Sequence, residues 1–172
     1  MYLHPRSIDL ERLIGVIKDG KIIPYLDIPI QHASDRILSS MGRGYGRVYL
    51  EELFGVIKTE LPDIVLRTTV MVGFPGETEE EFYELLDFLE RYEIDHVGVF
   101  GYSPESGTRA FSYPGRVEYD IIEATIPALV RLLSEKDHLE RVWLSDENTT
   151  RTYTLSSAQK EIEVTLSFPV LD

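Results

Sequence analysis

Two groups of polar side chains directly follow apolar, strand-like runs, and these are the positions where chemistry is expected. In the first group, Gln31, His32 and Ser34 come after the apolar run Lys21–Ile30. A carboxamide, an imidazole and a hydroxyl in this place can bind a ribose or a polar substrate, and the imidazole can act as an acid or base. The alternative is that Ser34 or Asp35 only caps a helix while His32 packs in the core. The spacing leaves both interpretations open.

The second group is a glycine-rich turn after the β-branched run Ile64–Val72, and it reads Gly73, Phe74, Pro75, Gly76, Glu77 and Thr78. Glycines allow the backbone to approach a ligand closely. Backbone amides at the start of the following helix can hold an anion or a nucleoside. The glycine spacing fits neither a Walker loop nor a dinucleotide fingerprint. A tight βα turn with an acidic cap explains the same residues, and the residues alone slightly favour that reading.

Four arginines are candidates for binding an anion. Arg67 lies within an otherwise apolar strand, where an unpaired cation is costly. Its partner is either a carboxylate-bearing ligand or Asp27 of the same chain. The other three, Arg36, Arg43 and Arg47, cluster around a glycine loop. They either grip an anionic group or form a solvated basic patch.

A metal site or a nucleophile within the chain has no support from the sequence. The chain contains no cysteine, which excludes disulfides and thiolate ligands within it. His4, His96 and His138 lack a partner at metal-ligand spacing and are expected to be structural or surface residues. No nucleophile–base pair can be read from the sequence, so a hydrolytic triad is not predicted.

The composition is that of an ordinary soluble protein, with 43% hydrophobic and 27% charged residues. The net charge of −13 argues against binding nucleic-acid phosphates, which requires a basic face. It suits either a basic protein partner or a solubilising surface. The apolar runs are too short for a membrane span and the first residues do not form a signal peptide. We therefore expect a cytoplasmic protein with no membrane partner.

The order of the predicted elements indicates an α/β fold. Strands alternate with helices, and the connections are too long for hairpins, which is typical of parallel βα units in a doubly wound sheet or a barrel. The predicted strands are Tyr25–Ile28, Ile64–Val72 and His96–Tyr102, and the clearest helices are Val48–Glu60 and the one that begins with the acidic run after Thr78.

The last third of the chain has a different pattern. Ile121–Leu144 is predicted to form a long amphipathic helix, begun or interrupted at a proline. Thr149–Leu155 and Ile162–Phe168 alternate with period two and are predicted to pair as a β-hairpin. We therefore divide the chain into a βα part, residues 1–117, and a helix with a hairpin, residues 118–172.

Together, these runs resemble those of the radical-SAM methylthiotransferases, in the same order and spacing. The segments that carry the resemblance lie between residues 2 and 110 and read YLHPRSIDLE, YLDIPIQHASDRIL, MGRGYGR, RTTVMVGFPGETEEEF and HVGVFGYSPESGTRA. The DIPIQHAS run is similar to the type that modifies an aspartate of small-subunit ribosomal protein S-12. The equivalent run of the tRNA-modifying relatives usually ends in a Gln-Ser-Gly-Ser pattern.

The resemblance implies a partial TIM-like (βα) barrel that binds S-adenosylmethionine and a 4Fe-4S cluster. In the family, a CxxxCxxC loop holds the cluster, and cleavage of the cofactor yields a radical that removes hydrogen from the aspartate β-carbon. Sulfur then comes from a second cluster and the methyl group from a second S-adenosylmethionine. The cofactors do the difficult chemistry and the protein orients them.

The resemblance also implies positions for the cofactor-binding residues along three successive strands. It puts residues for the ribose or the substrate after the first strand, a residue for the methionine carboxylate on the second, the adenine near the turn that follows, and a tyrosine at the end of the third. In that order they are Gln31, His32 and Ser34; Arg67; Gly73–Thr78; and Tyr102 with Ser103.

The chain departs from the family pattern in three places. The CxxxCxxC loop and the domain that carries the second cluster's cysteines are absent. Tyr45 and Val48 stand where a threonine and an acidic residue are expected, which weakens the start of that helix. The RNA-binding β-barrel usual at the family's C-terminus is not recognisable in residues 149–172.

These departures predict a piece of the catalytic barrel that is inactive alone, with ribosomal protein S-12 as the partner of its parent enzyme. Two other interpretations stay open: an engineered or chimeric βα scaffold without activity, and a tRNA-modifying relative. A barrel lacking its first strands leaves an open sheet edge, so self-association is expected.

Overall fold

The structure is a computed structural model that describes residues 3–117, Ile122, and the backbone of 141–147, 150–156 and 161–167. The predicted helix Ile121–Leu144 falls largely outside these residues, and so does His138. Among the described residues, none of the helices has the length and apolar character needed to cross a membrane.

Three parallel strands, with helices between them, form the first part of the fold. Strand β1 pairs with β2 and β2 with β3, all parallel, which confirms the predicted βα rhythm. The strands are β1 Tyr25–Asp27, β2 Val65–Val72 and β3 His96–Gly101, and the helices are α1 Leu10–Lys18, α2 Asp35–Ser40, α3 Arg47–Glu60 and α4 Glu79–Arg91. The predicted bounds of β1, β2, β3 and α3 and the predicted start of α4 agree with the structure to within one residue.

Strand β1 is short because Pro29 follows it and carries no N–H for the ladder. The side chain of Thr68 on β2 fills the gap. Its hydroxyl donates to the Ile28 carbonyl at 2.8 Å and accepts from the Ile30 amide at 3.3 Å. The main-chain pairing resumes at Gln31, whose amide donates to the Thr69 carbonyl at 2.9 Å. The chain therefore stays aligned with β2 beyond the end of β1.

The two faces of β2 have different roles because side chains alternate along a strand. Leu66, Thr68, Val70 and Val72 are buried, whereas the residues between them are half-buried. The apolar members of the buried set belong to one core cluster with the inward faces of α3 and α4, where Phe54 and Phe88 pack edge to face at 5.4 Å. The half-buried set, which includes Arg67 and Met71, faces the open side of the sheet.

The C-terminal strands continue the same sheet. Strand β5, Thr150–Ser156, pairs antiparallel with β6, Glu161–Ser167, which confirms the predicted hairpin. Strand β6 also pairs parallel with β3, and β4, Arg141–Glu147, pairs antiparallel with β5. The sheet order is β1-β2-β3-β6-β5-β4.

The helix prediction is wrong for residues 141–144, which lie in β4. Short apolar runs do not distinguish helix from strand by spacing alone. This segment pairs antiparallel with the whole of β5, and no local sequence signal indicates that long-range pairing.

One edge of the sheet is strand β1, which is three residues long. The amide of Leu3 donates to the Asp27 carbonyl at 3.0 Å, so part of this edge already has a partner within the chain. Short, partly covered edges discourage pairing with other chains. Self-association through this edge stays a prediction.

Helix α3 begins without a capping side chain of its own, as the sequence predicts, and a distant carboxylate supplies the cap. Its N-cap residue is Gly46, and the Arg47 amide donates to Asp35 Oδ1 at 2.6 Å. A Cβ on Gly46 would lie 2.3 Å from that oxygen. The glycine is therefore required for the approach of Asp35. Tyr45 is not needed as a cap, and it is buried with its hydroxyl donating to the Ile30 carbonyl.

We predict that Gly46→Ala lowers the free energy of unfolding by about 1–2 kcal/mol, because Asp35 must move and the helix loses its cap. Gly55→Ala is the matched control, since the same Cβ in the middle of α3 meets nothing within 4 Å. The control should raise stability by up to about 1 kcal/mol through helix propensity. Urea unfolding measures both, and equal effects of the two variants would contradict the proposed cap.

Candidate functional site

A pocket of about 430 Å³ opens where β2 and β3 end. This volume lies within the ~300–1,000 Å³ range of small-molecule sites, and the carboxyl ends of parallel strands are their usual place. The residues that line it come from the ends of the strands, from the turn after α2 and from the loop after β3: Gln31, Ser40, Met41, Gly42, Arg43, Met71, Phe74, Tyr102, Ser103, Glu105, Thr108, Arg109 and Ala110.

Gln31 lines this pocket with an unusual backbone. Its φ is +68°, in the left-handed region that residues other than glycine rarely adopt. Two ladder bonds hold it there, from its amide to the Thr69 carbonyl at 2.9 Å and from the Met71 amide to its own carbonyl at 2.8 Å. Such strain costs of order 1 kcal/mol and concentrates at functional sites. Among the predicted site residues, Gln31 therefore has the clearest backbone indication of a functional role.

An aromatic group forms one wall of the pocket. The ring of Phe74 packs edge to face against Tyr102 at 5.4 Å and against Tyr113 at 6.2 Å. The Tyr102 hydroxyl is buried and has no hydrogen-bond partner among the described residues. Buried polar groups are nearly always paired, so this hydroxyl is a candidate hydrogen-bond partner for a ligand.

The glycine-rich turn after β2 is tight, as predicted. Gly73 and Gly76 both have left-handed φ, of +76° and +78°. A Cβ on Gly73 would lie 2.4 Å from a side-chain carbon of Ile122, so a larger residue does not fit there. Glu77 closes the turn, since its amide donates to the Phe74 carbonyl and its carboxylate accepts from the Phe74 amide at 3.0 Å. The turn thereby fixes Phe74 at the pocket wall.

The carboxylate of Glu81 joins this turn to the segment after β1. One of its oxygens accepts from the Ser34 hydroxyl at 2.9 Å and from Arg36 Nε at 2.8 Å. The other accepts from the amide of Thr78 at 3.0 Å, within a capping box at the start of α4. Arg36 also donates to the Gly76 carbonyl at 2.6 Å. We call these four residues, Ser34, Arg36, Thr78 and Glu81, the loop clamp.

The clamp keeps Glu81 ionised. Burial by itself raises the pKa of this carboxyl, but the hydrogen bonds from Arg36, Thr78 and Ser34 outweigh burial and lower the pKa from 4.5 to about 2. The Ser34 hydroxyl therefore serves the clamp and does not cap α2, although Ser34 occupies the N-cap position as predicted.

His32 is fully buried and is not one of the residues that line the pocket. Its Nδ1 accepts from the Ser34 amide at 2.9 Å, which assigns the ring proton to Nε2. Nε2 faces Glu77 Oε1 at 3.4 Å. This arrangement favours the interpretation in which His32 packs and orients its neighbours.

Arg67 lies away from the pocket. It precedes Met71 by four residues on the same face of β2, which is roughly 13 Å along a strand. Its guanidinium donates to Asp27 Oδ2 at 2.6 Å, so the ion pair within the chain exists as the alternative interpretation predicts. A role in binding the methionine carboxylate stays a prediction.

Of the residues predicted from the sequence, Gln31, Arg43, Phe74, Tyr102 and Ser103 line the pocket. Gly73, Pro75, Gly76, Glu77 and Thr78 shape the turn behind it. The sequence reasoning missed Met41, Met71 and the loop residues from Glu105 to Ala110 as lining residues. The alternation along β2 is the signal that could have found Met71, whereas the loop after β3 carries no local signal.

The described residues contain no group of three or more acidic or histidine side chains that could hold a metal ion. Together with the lack of cysteine in the full sequence, this means that the residues present do not fit an iron–sulfur cluster.

Residues 1–89, just over half of the chain, match the family described as the Radical SAM superfamily. The chain therefore belongs to the radical SAM superfamily, and the partial βα barrel predicted from the resemblance is confirmed.

The chain is also similar to curated proteins named ribosomal protein uS12 methylthiotransferase RimO. It is 46% identical to that of Desulfotalea psychrophila over 78% of this chain, 42% identical to that of Acaryochloris marina over 76%, and 40% identical to that of Acetivibrio thermocellus over 83%. It spans only 30–33% of the length of these relatives. The similarity to the Acetivibrio protein reaches past Val117, into the segment in which the sequence runs give no match.

A solved structure, that of Methanocaldococcus infernus Elp3 with an N-terminal deletion, has a similar fold. The TM-score is 0.53 at 12% identity, and the match covers 90% of this chain and 52% of that chain. At this identity the likeness concerns the fold alone.

We predict that Glu81→Gln lowers the free energy of unfolding at pH 7 by about 1–3 kcal/mol, since Arg36 and Ser34 lose a charged acceptor. The folded pKa of Glu81, about 2, lies below the ordinary 4.5. Its contribution is therefore complete above pH 4.5 and disappears as the pH falls toward 2. The difference between wild type and variant should shrink over that range.

Chemical denaturation at several pH values measures this difference. Glu80→Gln is the matched control, because Glu80 is exposed on the same helix turn. If the stability difference between the wild type and the Glu81→Gln variant stayed constant as the pH fell from 7 toward 2, the charged clamp would be contradicted.

Proposed function

We propose that this chain is the part of a radical-SAM methylthiotransferase that holds the nucleoside half of S-adenosylmethionine, in an enzyme that modifies an aspartate of ribosomal protein S-12. The observation that carries the proposal is the pocket at the strand ends, with strained Gln31 and the buried, unpartnered hydroxyl of Tyr102 on its walls. Membership of the superfamily and the similarity to RimO proteins support it.

The pocket residues fit a nucleoside. Phe74 and Met71 offer apolar surface to a base, while the Gln31 carboxamide and the Tyr102 hydroxyl offer hydrogen bonds to a ribose or a ring nitrogen. Nucleotide-type ligands commonly combine one apolar face with a few fixed polar groups in this way. When bound, S-adenosylmethionine supplies the methyl group and the radical chemistry of the superfamily. The residues of this chain bind and orient it.

The iron–sulfur cluster does not fit these residues, because the chain has no cysteine. We therefore propose that this chain alone does not carry out the reaction. In a cytoplasmic parent enzyme, the cluster ligands would come from other residues.

A tRNA-modifying relative is the second candidate function. The net charge of −13 disfavours it, since binding a polynucleotide requires a basic face. An inactive scaffold is the third candidate, and it predicts that the pocket binds neither cofactor nor analogue.

We predict that the chain binds S-adenosylhomocysteine and methylthioadenosine with similar Kd values of roughly 0.1–1 mM, because the nucleoside half makes most of the contacts. Gln31→Ala should weaken both by roughly fivefold through loss of a hydrogen bond. Tyr102→Phe should also weaken both, whereas Tyr83→Phe, on an exposed tyrosine of α4, should not. Calorimetric titration measures all of these.

In the same experiment, the Arg67→Gln variant distinguishes two roles for Arg67, which are binding the methionine carboxylate and forming an ion pair with Asp27. Loss of S-adenosylhomocysteine binding with methylthioadenosine binding retained would assign Arg67 to the methionine carboxylate. The ion pair with Asp27 predicts instead that both ligands bind unchanged while stability falls. No binding of either ligand by the wild-type chain at millimolar concentration would contradict the proposed function.

A further inference from the structure

Only one of the three clustered arginines is available to a ligand. Arg36 is held in the loop clamp. Arg47 donates to Glu51 at 2.9 Å and to Asp87 at 2.6 Å. Arg43 lines the pocket, is half-buried, and forms no hydrogen bond or ion pair through its side chain within the part of the chain that the structure describes. Of the three clustered arginines that the sequence proposed as anion-binding residues, Arg43 therefore remains the candidate.

A second arginine faces the same pocket from the loop after β3. Arg109 is exposed, lines the pocket, and likewise has no side-chain ion pair among the described residues. The remaining charged lining residue is Glu105, which is also exposed and unpaired within the same residues. The pocket wall thus carries a net charge of +1 in a chain whose net charge is −13.

Arg109 lies in the exposed outer part of the pocket, and Arg43 is half-buried in the turn after α2, between the exposed Gly42 and Gly44. Phe74 is 3% exposed and Gln31, Met71 and Tyr102 are half-buried, whereas the loop residues from Glu105 to Arg109 are exposed. A nucleoside on the strand ends would leave the outer part for a second ligand. Guanidinium groups favour carboxylates and phosphates because they donate in pairs.

We propose that Arg43 and Arg109 form a carboxylate-binding subsite at the mouth of the pocket, which receives the acidic side chain of a peptide substrate. The identity of the peptide rests on the proposed function, but the charge and position of the two arginines do not. A phosphate of a nucleic acid is disfavoured by the acidity of the rest of the chain. The methionine carboxylate of the cofactor is the other source of the same chemistry, and the experiment distinguishes the two.

The test uses two short peptides of glycine and serine, one with a central aspartate and one with asparagine at that position. Acetylated and amidated ends leave the aspartate as the only charge. Titration of the 172-residue chain with fluorescently labelled peptides, followed by anisotropy, gives the two affinities. The aspartate peptide should bind roughly tenfold more tightly, which is the usual size of one charge-assisted hydrogen bond.

Variants then assign the preference to the subsite. Arg43→Gln and Arg109→Gln should each reduce the preference for aspartate to less than about threefold, whereas Glu105→Gln should increase it because a repelling carboxylate is removed. Arg12→Gln is the matched control, since it removes the same charge from an exposed residue of α1 that does not line this pocket. It should leave the preference unchanged.

Equal binding of the two peptides, no binding of either at millimolar concentration, or an equal effect of Arg12→Gln would overturn the proposal. So would a loss of S-adenosylhomocysteine binding in Arg43→Gln and Arg109→Gln with the peptide preference intact, because the carboxylate would then be the cofactor's. An aspartate preference in a chain that binds no nucleoside would support the subsite and refute only the proposed cofactor role.

Discussion

The geometry of the site depends on one buried carboxylate, that of Glu81. It accepts hydrogen bonds from the segment after β1, through Ser34 and Arg36, and from the turn after β2, through Thr78. These two segments are far apart in sequence and bring Gln31 and Phe74 to the same pocket. A paired and fully hydrogen-bonded carboxylate is one of the few ways to hold two loops in a fixed relation without a disulfide or a metal.

The strands and the turn after β2 fix the positions of Gln31 and Phe74 independently of the loop clamp. Gln31 remains in register with β2 because Thr68 spans the interruption at Pro29, and Phe74 is fixed by a turn that only glycines allow at Gly73. Backbone constraints therefore place the pocket walls, and the clamp fixes the distance between them. The aromatic group around Phe74 can then keep its shape while the loop after β3, with Arg109 and Glu105, stays exposed to an incoming partner.

Much of the fold could be predicted from local patterns. β-branched runs indicated the parallel strands, and helical spacing indicated α3 and the buried face of α4. The capping box of Thr78 and Glu81 is also a local pattern, since a threonine precedes a glutamate by three positions. The end of the predicted C-terminal helix was wrong because β4 forms through long-range pairing.

The site was less predictable than the fold because its features arise from contacts between segments that are distant in sequence. Nothing local indicates that Gln31 has a positive φ or that Ser34 bonds to Glu81. Nor does any local pattern indicate that Arg36 and Arg47 are paired while Arg43 has no side-chain partner among the described residues.

A nucleoside bound against the strand ends of this chain, as we propose, would contact methionine methyl groups, whose NMR signals report on it directly. The chain has three methionines, and Met41 and Met71 both line the pocket. With ¹³C-methyl-labelled methionine, saturating methylthioadenosine should shift both signals and give nuclear Overhauser effects from the adenine protons to Met71. Saturable binding that leaves Met41 and Met71 unshifted would put the ligand elsewhere and contradict this account.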